Sequence, residues 1–132
     1  MNVLCDTSFL MVLVSKPIKK INEIEDYFGR LDYQTPDLVI SELTRLEQKA
    51  GPKRSRIAKT AIEVSLSKFT IVKMKGSQSV DEQIINYALS NRCAVATIDK
   101  KLVCKLISNN TIVLTLNNNK LIVANPSIAE QC

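Results

Sequence analysis

Asn2-Val3-Leu4-Cys5-Asp6-Thr7-Ser8-Phe9-Leu10 begins as a short apolar run and stops abruptly at a carboxylate followed by two hydroxyls. Such residues suit a buried strand, with Asp6 at its carboxyl end and Thr7 or Ser8 placed to cap a helix continued by Phe9 to Val14. An acid at that position points into the crevice where open α/β sheets bind their ligands. A helix cap alone would explain Asp6 equally well, so the rest of the chain has to decide.

Beyond the Lys16-Pro17 break, apolar residues at Ile18, Ile21, Ile24, Tyr27 and Phe28 predict an amphipathic helix ending at Gly29. A short strand over 33–35 leads to Pro36-Asp37, a helix start. The helix it opens runs through Val39, Leu43, Leu46 and Ala50 to a stop at Gly51-Pro52. A very basic helix follows over 53–67, then a strand over 69–72 and a loop at Gly76-Ser77. Ser79 begins the next helix, with Val80, Ile84 and Ala88 in one column and Ile85 and Leu89 in the next. Ala94 to Thr97 reads as a buried strand, and Asp99 opens a helix with Leu102, Val103, Leu106 and Ile107 inward. Ile112 to Leu116, Asn117-Asn118-Asn119 and Lys120 to Ala124 form a C-terminal β-hairpin. Strands alternating with helices imply an α/β fold of three layers, α/β/α, around a mostly parallel sheet.

The 132 residues suit one domain with one core, and therefore one site. Apolar runs fall far short of the roughly 18 residues of a membrane span, and the opening lacks a basic region and a cleavage site. A soluble, cytoplasmic protein is expected, with no membrane contact. Cys5, Cys93, Cys104 and Cys132 show no paired CxxC spacing and read as free, mostly buried thiols. With no histidine, Ser-His-Asp and Cys-His triads, His-ligated zinc and imidazole acid–base catalysis are excluded. Between Arg45 and Lys75 nine basic residues stand against two acidic ones, a segment more positive than the +5 of the whole chain. Charge of that kind is compatible with nucleic acid, and also with a merely solvated helix face.

Three further acids share the placement of Asp6. Glu42 lies between Val39 and Leu46 at spacings of three and four, within the apolar stripe of its helix. Asp81 falls in a first helical turn, and Asp99 ends a strand as Asp6 does. Each has an ordinary explanation as a cap, a helix-dipole partner or a paired charge. Ser79-x-x-Glu82 has the form of a capping box. A buried cluster of carboxylates repels itself and persists mainly around a cation. With oxygen ligands only, that cation is expected to be Mg²⁺ or Mn²⁺.

Asp6-Thr7-Ser8, then Thr35-Pro36 with Glu42 six residues after the proline, then Asp81-x-x-Ile84, then Thr97-x-Asp99, resembles the PIN domain family of metal-dependent ribonucleases. The likeness runs from Val3 to about Val123. DTS or TxD alone is commonplace, and it is the four elements in order that carry it. The opening DTSFLM, the VDEQI segment and the terminal hairpin resemble archaeal PIN proteins related to the Fcf1/Utp24 ribosomal-RNA processing nucleases, and VapC toxins share the acidic pattern. Where those relatives often carry two adjacent aspartates, this chain has Asp81-Glu82, leaving Glu82 as either a fifth ligand or a cap.

The resemblance implies that Asp6, Glu42, Asp81 and Asp99 bind the metal, with Ser8 and Thr97 orienting metal-bound water or a phosphate. It implies an endoribonuclease, with Lys49, Lys53, Arg54, Arg56 and Lys59 on the RNA backbone. RNA, above all a ribosomal-RNA precursor, is the expected partner. A homodimer is one expected assembly, and an antitoxin partner is expected only for a VapC-type chain. A PIN-fold binding or assembly module without efficient cleavage is the reading from another class.

Overall fold

The computed structural model describes residues 1–124. Strand β1 (Asn2–Cys5) enters helix α1 (Thr7–Ser15), followed by α2 (Ile21–Phe28), β2 (Asp32–Pro36), α3 (Asp37–Lys49), α4 (Pro52–Lys68) and β3 (Thr70–Val72). The second half runs α5 (Val80–Asn91), β4 (Ala94–Ala96), α6 (Lys100–Ser108), β5 (Val113–Asn117) and β6 (Lys120–Val123). The strands form one sheet in the order β3-β2-β1-β4-β5-β6, parallel throughout except for the antiparallel β5–β6 hairpin.

Residue alternation along β1 explains the layering. Val3 and Cys5 face one hydrophobic cluster with Phe9, Leu10, Val39, Leu43, Ala58 and Ala61, which belong to α1, α3 and α4. Leu4 faces the other, with Ile84, Ala88, Leu102 and Leu106 of α5 and α6. Helices therefore cover both faces, as a mostly parallel sheet requires. Proline sets two helix starts: Pro36 precedes α3, and Pro52 occupies the first turn of α4. Asn118 and Asn119 both adopt left-handed φ, 52° and 61°, which a two-residue hairpin turn of the twist-matched kind requires.

Several expectations need correction. The second helix starts at Ile21 rather than Ile18, because Lys19 instead pairs with the hairpin: its N–H donates to the Asn119 carbonyl, and its own carbonyl accepts from Leu121 N–H. Leu89 is exposed on α5 rather than part of an inward column. Cys5 and Cys93 are buried free thiols, but Cys104 is disulfide-bonded, and Cys132 lies outside the described residues. No described helix is long and apolar enough to cross a membrane.

Candidate active site

The chain builds β1, β2 and β3 outward on one side, then returns to lay β4 against the other side of β1. This reversal is the switch point at which open α/β sheets form their crevice, at the carboxyl ends of the strands. Asp6 leaves β1 there and Thr97 leaves β4 beside it. Asp6 is itself the N-cap of α1, in place of Thr7 or Ser8: its Oδ1 accepts from Phe9 N–H at 2.9 Å and from the Ser8 hydroxyl at 2.8 Å. Its Oδ2 accepts from the Thr97 hydroxyl. Thr97 Oγ1 in turn accepts from Asp99 N–H at 3.0 Å, and Ser8 Oγ accepts from Ile98 N–H at 3.2 Å. The two hydroxyls thus stitch the ends of β1 and β4 together around one carboxylate.

Asp6 as a whole is 7% exposed. Burial pushes its pKa above the ordinary aspartate value; the bonds from Thr97, Phe9 and Ser8 pull it back, and the nearby charge of Asp99 adds a further upward push. Three bonds occupy about three of the four lone-pair positions of a carboxylate, leaving one open.

Asp6 opens on a cleft of about 350 Å³ that Glu42, Asp81 and Asp99 also line. Glu42 is half-buried on α3, beside the fully buried Val39 and Leu43, at the edge of the apolar stripe its spacing predicted. Asp81 lies in the first turn of α5. Asp99 caps α6, its Oδ1 accepting from Lys101 N–H at 3.0 Å. The caps read from the sequence are real, and both capping aspartates also face the cleft. Met11, Val12, Val80, Ile84 and Ile98 supply an apolar wall. Among the described residues, however, no three acids or thiols stand close enough to hold one metal ion between them.

Of the five basic residues expected on RNA, Arg54 lines the cleft. On α4 it falls in the column of the buried Ala58, Ala61 and Ser65, whereas Lys53, Arg56 and Lys59 point to other sides of the helix; all four are exposed. Lys49 is exposed at the end of α3. Thr35 stays out of the cleft: its buried hydroxyl donates to Ser65 Oγ at 3.0 Å and ties β2 to α4. Glu82 is exposed and does not line the cleft. Its N–H donates to Ser79 Oγ at 3.2 Å, which is the first half of the capping box.

Two features escaped sequence reasoning. Lys105 of α6 approaches Asp81 Oδ2 at 3.8 Å, a pairing that nothing marked among the other lysines of that helix. Thr7 lines the cleft and carries a buried hydroxyl with no hydrogen-bond partner among the described residues. The adjacent DTS triplet was the only signal for it.

The chain is similar to the structure of the PIN domain endonuclease Utp24, with a TM-score of 0.71 and 21% identity over 92% of this chain and 90% of that one. It is also similar to VapBC2 from Rickettsia felis bound to a DNA fragment from their promoter, with a TM-score of 0.64 and 15% identity over 89% of this chain and all of that one. Among curated proteins, none matches. The family described as PIN like domain matches residues 3–119, nearly the whole described length, and the chain belongs to that family.

Proposed function

We propose that this chain is a divalent-metal-dependent endoribonuclease that hydrolyses RNA phosphodiester bonds in ribosomal-RNA processing. The observation that carries this reading is the convergence of four carboxylates, from β1, α3, α5 and the end of β4, on one cleft that also receives Arg54. Caps and surface charges serving separate helices would have no reason to share a cavity. The likeness to the Utp24 endonuclease supports the ribosomal branch of the reading.

The all-oxygen donor set suits a hard cation, Mg²⁺ or Mn²⁺, held by Asp6, Glu42, Asp81 and Asp99. Among the described residues no three of them reach a common ion as they stand, so such an ion would take one or two of these carboxylates directly and the others through water, as is common for Mg²⁺. When bound, such an ion polarises a phosphate and eases ionisation of water. The chain's own residues do the rest. Ser8 and Thr97 hold the Asp6 carboxylate in one orientation. Burial raises the pKa of that carboxylate, and a cation bound at its one open lone-pair position would offset this by favouring the ionised form. Arg54 offers a guanidinium to the phosphate, and the apolar wall of Met11, Val12 and Ile98 limits water around it.

The decisive experiment is Asp99→Asn. It should abolish Mg²⁺- or Mn²⁺-dependent cleavage of RNA and leave affinity equal or slightly higher, since a negative charge near phosphate is gone. If the wild type binds RNA yet cuts none of several substrates with either metal, the chain is a binding or assembly module. The likeness to VapBC2 keeps a toxin role in view. Tight binding of an antitoxin encoded beside this chain would establish it.

A further inference from the structure

A second groove, of about 400 Å³, lies between the segment following β3 and one side of α5. Its character is opposite to that of the cleft. No acid lines it, Lys73 and Lys75 stand at its rim, and neither lysine is ion-paired among the described residues. Its floor is fixed: Met74 and Tyr87 pack against the core cluster under α5 and α6 while lining the groove. Gln83 is only 7% exposed, and its amide nitrogen donates to the Gln78 carbonyl at 2.8 Å. That bond sets the amide's orientation and leaves its carbonyl oxygen to accept from whatever enters.

An anchored aromatic ring, an oriented amide and two unpaired cations around a space of this size match the three parts of a nucleotide. We propose that this groove is a nucleotide subsite of the RNA-binding surface, with a base stacked on Tyr87 and hydrogen-bonded to Gln83, and the adjoining phosphates on Lys73 and Lys75. Helix α5 connects the two places, since Val80, Asp81 and Ile84 line the cleft and Gln83 and Tyr87 line the groove on the neighbouring side of the same turns. A single strand leaving the cleft therefore crosses α5 to reach it. An acidic peptide would use the lysines but would need neither the ring nor the buried amide. The inference rests on the ribonuclease reading and adds to it a hold on RNA away from the cut.

The test is fluorescence anisotropy with a labelled, mixed-sequence single-stranded RNA in EDTA, which stops turnover, paired with cleavage in Mn²⁺ at saturating RNA. Tyr87→Ala should weaken binding about tenfold or more, the size of one missing base stack, while Tyr87→Phe keeps wild-type affinity. Lys73→Ala with Lys75→Ala should weaken binding and reduce the salt slope by about 0.7 for each phosphate no longer neutralised. Because these lysines are exposed, the pair carries the test even if Tyr87→Ala fails to fold. If the wild type binds and cuts RNA while none of these variants weakens binding, the subsite is refuted and the nuclease reading stands. If the wild type neither binds nor cuts, that reading fails and takes the subsite with it. AMP binding that depends on Tyr87, with RNA affinity unchanged, would assign the groove to a free nucleotide and overturn the RNA path.

Discussion

Replacing Thr97 with valine keeps the shape of a fully buried side chain and deletes the hydroxyl that donates to Asp6 Oδ2. A hydrogen bond to a charged acceptor contributes about 1.5–3 kcal/mol net, and the added methyl returns about 0.8 kcal/mol by burial. Asp99 N–H also loses its acceptor, but Asp99 is exposed and water replaces it. The expected loss is about 1–2 kcal/mol, or a fall in Tm of about 3–10 °C for a chain of this size.

The loss should depend on pH. Burial makes the Asp6 carboxyl hold its proton more tightly in the folded chain than in the unfolded one. Its contribution to stability is therefore complete below the ordinary aspartate pKa and is lost as pH rises through the raised folded value. The Thr97 bond opposes that loss by favouring the ionised form. Without it the folded value climbs further, so the variant falls further behind the wild type as pH increases. Urea unfolding followed by circular dichroism at pH 7 and near pH 3.5 measures both gaps. Equal destabilisation at the two pH values, or none at neutral pH, would refute the claim that Thr97 acts through the Asp6 charge.

Mg²⁺ or Mn²⁺ should raise the Tm of the wild type by binding the native state alone, and should raise that of Asp6→Asn much less; a thermal shift series reads this, and an equal response would place the ion elsewhere. Arg54→Ala should weaken RNA binding more than Lys59→Ala does, because Arg54 lines the cleft and Lys59 points away from it; salt-dependent anisotropy compares them. Arg92, at left-handed φ of 52° after α5, should be better served by glycine, so Arg92→Gly should gain up to about 1 kcal/mol in urea unfolding.

Local chemistry, legible in the sequence by itself, determined most of the elements. Alternation and helical periodicity marked them, Pro36, Pro52, Gly29 and Gly51 marked their ends, and Asp6 and Asp99 announced themselves as acids where strands give way to helices. The apolar neighbours of Glu42 on its own helix told which way it turns, because spacings of three and four share a face.

What lies between elements was decided by the tertiary structure alone. Thr97 meets Asp6 across 91 residues because β4 returns to lie beside β1, and no local pattern encodes strand order. The motif singled out Thr97 over Thr35, but only the fold shows that the Thr97 hydroxyl goes to the Asp6 carboxylate and the Thr35 hydroxyl to Ser65. Nor could charge count tell Arg54, which lines the cleft, from the neighbouring basic residues that do not, or show Lys105 beside Asp81. That Glu42 and Asp81 line the same cleft as Asp6 and Asp99 likewise follows from how α3 and α5 seat on the sheet. Side-chain packing sets where helices sit, and periodicity carries only direction.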